Sequence, residues 1–593
     1  MLENGKADTY VFNANEKLQT VTNRSGASST FAYTTDEQVS KTTDPLGNTT
    51  AYGYNSLSLN NSVTTPAGET FTSTFDSHQR LSGAFDPSGN GSTFTYDKED
   101  GPASVTDALA RKTLYATDPV GSVTQVTTPL GGKYITAHDQ LNRAISVTDP
   151  TGIATATTLD PRGLRSALSI GNLTSKLSHD DAGLLTGITD PNGNTWSFGI
   201  DAGGRPATRT DPLNRTTTLT FDKRNRANGA QFPLGSVAYT RDASGNVLRR
   251  LYSDGTDLNY VFDPTNHLTS GPGMALTYDA NHRGSNGLVI ARDANGRILS
   301  ITYAAGKTVT YAYNAVGLLG TITDWLGGVT TFTYNAAHEL IAIKRPNGMG
   351  TQYTYDLDGN LASITEDAGS SIILKHDAAG KTISETRTQP QSPTLAPGVL
   401  PLAFDVADQV AGSTYDAMAR LNQDPWRAYV WDLASRLTSY TGVDGAAAVT
   451  YDGLGFRLSE TTSAGVRNFV WNYATGLPSI ATVQDAAGDR RYYIYLPSGA
   501  LLYAIDAATS ARHFYHFDQN GATVLLTNDA GAVTDSYGIT PYGETVTQSG
   551  STENPFTWLG QWGVMQEGST SLYYMRARYY DSTTARFLSP DPV

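Results

Sequence analysis

The chain contains no cysteine. That excludes disulfide frameworks, thiolate zinc sites and cysteine nucleophiles in one step. It leaves the compartment open, because a protein of 593 residues needs no disulfide to fold. There is no apolar run of the 18 or more residues that a membrane helix requires, and the opening segment Met1–Asp8 lacks the apolar stretch of a signal peptide. Hydrophobic residues make up only 39%, and the net charge of −14 is spread along the chain without a basic run. Nucleic acid and anionic lipid are therefore poor partners. No P-loop, H-E-x-x-H or G-x-S-x-G is present, so the usual enzyme signatures are missing as well.

What the chain has is glycine (58), tyrosine (33) and a period. An aromatic-Asp/Asn step returns about every 21 residues, at Phe12-Asn13, Tyr54-Asn55, Phe75-Asp76 and Tyr96-Asp97. It returns later at Tyr313-Asn314, Tyr334-Asn335, Tyr355-Asp356 and Tyr451-Asp452. A fixed period of this length marks a repeat architecture. Many units also carry a second turn signal, Asp-Pro-x-Gly, as at Asp44–Gly47, Asp86–Gly89, Asp149–Gly152 and Asp190–Gly193. Asp at the first turn position accepts backbone N–H bonds, Pro pre-sets φ, and Gly at the fourth tolerates φ > 0. Between turns, runs such as Thr93-Phe94-Thr95-Tyr96 alternate small polar with aromatic residues, the period of a half-buried strand. Each unit reads as one β-hairpin. The expected fold is all-β: stacked antiparallel hairpins in a long ribbon, with aromatic ladders on one face. The Pro-rich stretch 389–401 cannot pair as a central strand and reads as an interruption.

From His513 the texture changes. His516-Phe517-Asp518-Gln519-Asn520-Gly521 and Thr540-Pro541-Tyr542-Gly543 lead to Tyr573-Tyr574-Met575-Arg576-Ala577-Arg578-Tyr579-Tyr580-Asp581 and Arg586-Phe587-Leu588-Ser589-Pro590-Asp591-Pro592. This block resembles the Rhs-repeat-associated core domain. The upstream array resembles the YD repeats of Rhs proteins, of Tc toxin C components and of teneurins. The resemblance implies a ribbon spiralling into a hollow shell plugged by the core block. It divides the chain into a repeat array (1–388), the interruption (389–401), a continued array (402–510) and a core domain (511–593).

It further implies a bacterial shell that is secreted or delivered without a cleavable signal, cytoplasmic before export, with the cell surface as another location. Its partner would be a C-terminal toxin or effector domain lying outside these residues. A secretion-system spike or a shell-completing chain would be a further partner, and no cofactor or metal is implied. Asp591 would be half of a self-cleaving carboxylate pair, active only in a longer chain carrying the second DPxG motif. Arg576, Arg578, Tyr579, Tyr580, Asp581, Arg586 and Phe587 would build the plug. The chain departs from the family pattern at Thr540 (usually Asp), Ala522 (usually Ser) and Ala585 (usually Gly). Two readings stand beside the shell: a YD-repeat surface protein that binds carbohydrate or a receptor, and a half-shell completed by a partner chain. His513 and His516 are placed on one face of a strand, a potential metal pair, but no further ligands lie nearby in sequence.

Overall fold

The computed structural model describes residues 8–278, 284–392 and 401–591; most of the interruption at 389–401, Asp279 and Pro592 lie outside them. The described residues form 57 strands in sheets of 25, 4, 10, 14 and 4 strands, and within each sheet successive strands in sequence are hydrogen-bonded. A 3-10 turn at Gly560–Trp562 is the helical element among the described residues, and no helix there is long and apolar enough to cross a membrane. The 14-stranded sheet runs from Thr414–Tyr415 to Thr545–Ser549 without a break at residue 510.

The repeat consensus is a set of local bonds. In the unit at Asp76, one carboxylate oxygen accepts the amides of His78 and Arg80 while the other accepts Arg80 Nε at 2.8 Å. The Arg80 guanidinium lies 4.4 Å over the Tyr96 ring of the next unit and pairs with Asp100. The tyrosine that opens each unit closes the ladder backwards, its hydroxyl donating to a carbonyl 15 residues earlier. Tyr33 reaches Leu18, Tyr54 reaches Val39, Tyr96 reaches Leu81 and Tyr355 reaches Leu340, at 2.6–2.9 Å. The strand register shifts at that same aromatic residue in turn after turn, the bulge expected of a type I turn followed by a left-handed residue. Glycine does not always fill the left-handed position: Glu37, Ser58 and Ala110 hold it at φ 60–64°.

The ribbon then coils. Hydrogen bonds join turns far apart in sequence: Ala108 to Asp358 (250 residues), Asn295 to Asp44 (251) and His338 to Glu69 (269). Later seams are shorter, with Leu433 to Asp254 at 179 residues, His516 to Glu366 at 150 and Arg387 to Asp518 at 131. The offset measures one winding, so the coil tapers. An offset of 250 residues is roughly 24 strands at about 4.8 Å each, a loop about 36 Å across; 131 residues gives about 19 Å. With side chains occupying about 5 Å of each wall, the wide winding encloses a lumen roughly 26 Å across and the narrow one can be filled by side chains.

Burial follows the taper. Every buried hydrophobic side chain among the described residues lies at or beyond Ala230. The first winding is thus a single-layer wall held by hydrogen bonds and salt bridges. Farther on, Ile301, Val309, Ile322 and Ile343 of one winding share a core with Ile494, Leu502, Ile505 and Phe514 of the next. The fold is a hollow, tapering β-shell plugged at its narrow end.

Candidate functional site

The narrow end is closed by a four-stranded sheet, Met565–Gln566, Leu572–Met575, Arg578–Asp581 and Arg586–Phe587. Its inner residues Met565, Leu572, Tyr574, Tyr579 and Leu588 join Trp471, Tyr493, Tyr495 and Leu501 of the ribbon in one core. Backbone bonds tie its end down: Leu588 accepts from the amide of Leu421 at 2.8 Å and donates to Tyr579.

The residues assigned to the plug occupy three places. Tyr579 is buried and its hydroxyl accepts from Arg457 Nη2 at 2.6 Å, with Tyr451 Oη at 3.2 Å. Tyr580 stacks on Trp558 with ring centres 4.8 Å apart and donates to the Tyr542 carbonyl; burial pushes its hydroxyl up to about 12. Asp581, buried, accepts from Ser571 Oγ at 2.6 Å and from the amide of Thr583, closing the hairpin.

The arginines separate. Arg576 donates to the carbonyls of Pro478 and Trp562, while Arg578 lies 3.6 Å over the Phe587 ring and Arg586 4.5 Å over Phe404. Arg578, Arg586 and Phe587 line an open cavity of about 630 Å³ with Leu402, Phe404 and Tyr415. Asp591 projects at its mouth, its carboxylate 79% exposed and 3.7 Å from Arg578. A second carboxylate, Asp408, lines the same cavity, while the contact made by Asp591 is with Arg578.

His513 and His516 are three residues apart, and strand alternation sends them to opposite faces. His513 pairs with Asp506 at 2.9 Å. His516, fully buried, meets Glu366 at 2.7 Å through Nδ1 and Thr527 through Nε2. No group of three or more metal-ligating acids and histidines occurs among the described residues.

Two buried polar clusters escaped the sequence reading. The first lies between windings. Glu366 Oε2 accepts from Thr351 at 2.8 Å and from His516, with Arg345 Nη1 at 3.5 Å, while Arg345 also donates to the Tyr515 carbonyl. Burial pushes the Glu366 carboxyl up, but Arg345 and His516 outweigh it and hold it below its ordinary value. Burial, with Arg345, holds His516 below its ordinary value, so the ring is neutral. Its Nδ1–H then donates to Glu366, and Nε2 accepts from Thr527.

The second cluster lies beneath the plug. Arg457, wholly buried, donates through Nη2 to Glu567 Oε1 at 2.5 Å and to Tyr579, with Glu460 at 3.7 Å from Nη1. Its guanidinium sits 4.3 Å over the Tyr574 ring. The sequence does hold one signal for it. In Asp76–Leu81 and Asp293–Ile298 the residue four after Asp is Arg and the next is Leu or Ile; after Asp452 these are Phe456 and Arg457. The one-place shift swaps faces and turns the guanidinium inward. Nothing in the local sequence marks Glu567.

Known proteins resemble the chain in sequence. The teneurin YD-shell family model matches residues 321–593, and the RHS repeat model matches 179–216 and 292–329. Curated relatives include the tRNA3(Ser)-specific nuclease WapA of Bacillus spizizenii, 27% identical over 185 residues, and the tRNA nuclease WapA of Bacillus subtilis, 26% identical over the same length. Each alignment covers 30% of this chain and 8% of the relative, so the chain spans a small part of those proteins. Among solved structures, a Tc holotoxin pore of Photorhabdus luminescens with a TccC3 mutation aligns with 99% of this chain and 32% of its own, at 16% identity and TM-score 0.44. The TcdB2-TccC3 complex aligns with 99% of this chain and 33% of its own, at 16% identity and TM-score 0.41.

Proposed function

From a chain that carries RHS repeats and a C-terminal YD-shell segment, we propose that it is the encapsulating shell of a bacterial Rhs-type toxin, sequestering an effector domain that follows residue 593 in a longer protein. The observation that carries the reading is the taper: a wide winding with a lumen, and a narrow end filled by its own plug. The likeness to WapA nucleases supports a toxin context; the shell itself performs no chemistry on this reading. Asp591 enters as one half of a self-cleaving pair whose other half lies further along the longer protein.

The test is protease protection. A reporter polypeptide appended after Val593 should resist protease while the shell is intact and become digestible when the shell is opened by denaturant. Small-angle scattering should give a bounded distance distribution with pronounced minima; a long-tailed distribution or an unprotected reporter refutes encapsulation. For Asp591, the longer protein with D591N should accumulate uncut, and continued cleavage would remove the residue from the mechanism.

One observation favours a second reading, a half-shell completed by another chain. The seams of the first winding use one edge of the ribbon, at Asp44, Glu69 and Arg111. The turns of the opposite edge present Leu57, Val120 and Leu141 to solvent. Stable heteromeric assembly through that edge would support this reading over a self-contained shell.

A further inference from the structure

The 14-stranded sheet ends at Thr545–Ser549, which pairs on one side with Val533–Ile539 and on the other with no strand among the described residues. An unpaired strand edge is a row of backbone donors and acceptors that another strand can satisfy. This edge forms one wall of an open cavity of about 620 Å³. Residues 544 to 548 line the cavity without a gap. Successive side chains of a strand point to opposite faces, so an unbroken run of lining residues means that the strand is presented edge-on. The facing walls come from the ribbon at Arg467 and Arg491 and from the turn that opens the plug, residues 568 to 571. Phe469, Tyr493 and Met565 make an apolar floor and belong to the core that ribbon and plug share, so the cavity lies on the ribbon face that the plug covers.

The arginines of this cavity are already engaged. Arg467 and Arg490 both hold Glu553, Arg490 also reaches Asp485, and Arg491 holds Asp506 and the Glu553 carbonyl. Glu460 faces Arg457 at 3.7 Å. Glu544, exposed at the start of the free edge, has no ion pair among the described residues. A small anion therefore meets no free cation here. What the cavity leaves unsatisfied is a strand edge, an apolar floor and one carboxylate.

We propose that the cavity docks an extended polypeptide strand, added to the free edge of Thr545–Ser549 with a basic side chain opposite Glu544. The occupant is the polypeptide that follows residue 593 in the longer protein, and in this the inference rests on the encapsulation reading above. The route is short: Ser582 and Thr583 line this cavity, while residues 584 to 590 line the neighbouring one at whose mouth Asp591 projects. Strand addition draws its affinity from main-chain hydrogen bonds. One edge of about 17 Å can thus anchor the first stretch of an effector segment while asking little of its side chains beyond alternation and one cation.

The test extends the intact chain after Val593 with a Gly/Ser linker of about 20 residues, spanning about 25 Å, and then the strand Thr-Val-Lys-Val-Thr-Val-Lys-Val-Thr-Val. Hydrogen exchange of amides in 545–549 should slow at least about tenfold relative to the unextended chain. The same extension with proline at every second position, which cannot complete the ladder, should leave them unchanged. Glu544→Lys should lower the protection several-fold, and glutamate in place of the probe lysines should restore it. The chain has no cysteine, so Gln548→Cys and a single cysteine in the probe strand should form one disulfide under mild oxidant. Unprotected edge amides, equal protection by the proline probe, or no cross-link overturns the proposal. Protease protection of the extension is read separately. An extension that is shielded while 545–549 stay unprotected leaves encapsulation standing and refutes the docking site; edge protection with a digestible extension supports the site and refutes encapsulation.

Discussion

Consider the seam where the ribbon's second winding meets the third. Glu366 is its electrostatic centre: one carboxylate oxygen takes donors from Thr351 and His516 and faces Arg345, with all three charged or titratable residues buried. Glu366→Gln keeps the shape and removes the charge. Arg345 is then left as a buried cation whose remaining partners, Thr351 Oγ1 and the Tyr515 carbonyl, are neutral. Removing one partner of a buried pair costs about 3–5 kcal/mol. At about 1.4 kcal/mol per factor of ten, seam opening should become roughly a hundred- to several-thousand-fold more frequent. Hydrogen exchange in peptides covering 345–366 and 511–530 should show that loss, while the first winding is unaffected. Glu385→Gln, which removes a half-exposed pair with Arg387, should change protection by less than about tenfold. Arg345→Met combined with Glu366→Leu should recover part of the loss, because it removes the stranded cation while the buried His516 Nδ1–H and Thr351 hydroxyl still lose their acceptor. If E366Q alters seam protection by less than about fivefold, the windings are held by their shared apolar core and the electrostatic argument fails.

The same seam carries a pH dependence. His516 is held neutral below its ordinary value, so its contribution is present above about pH 6.5 and is lost as pH falls through that range; exchange in 511–530 should speed up between pH 6.5 and 5, and His516→Gln should remove the trend. At the exposed left-handed turn position of Ala110, Ala110→Gly should stabilise locally by about 1 kcal/mol, seen as slower exchange in that hairpin. His338→Gly, at an equivalent φ of 69°, should instead destabilise, since it deletes the bond to Glu69 across the first seam. Tyr96→Phe should cost about 1 kcal/mol by leaving the Leu81 carbonyl unpaired, and a neutral result would show that the tyrosine serves only through its ring.

The hairpin was legible because its determinants are local. Asp, Pro, Gly and the unit-opening aromatic act within about 20 residues, and in the structure they make the turn bonds their chemistry allows. Tyr579 and Asp581 were singled out only through a specific string of neighbours. The charges that matter most were not. Arg345 and Glu366 resemble any turn arginine and strand-end glutamate until the next winding brings His516 against them, 150 residues away. Arg457 differed by one position from its counterparts, yet its partner Glu567 lies 110 residues on.

The sequence alone determined the repeat length, the antiparallel hairpin and its turn chemistry, because each depends on residues close together in the chain. Only the tertiary structure decided how many hairpins make a winding, which edges meet, where the core forms and which ionisable groups lose their water. Coiling couples residues 131 to 269 positions apart, and no local pattern encodes a contact whose partner is set by the accumulated curvature of a dozen or more intervening strands.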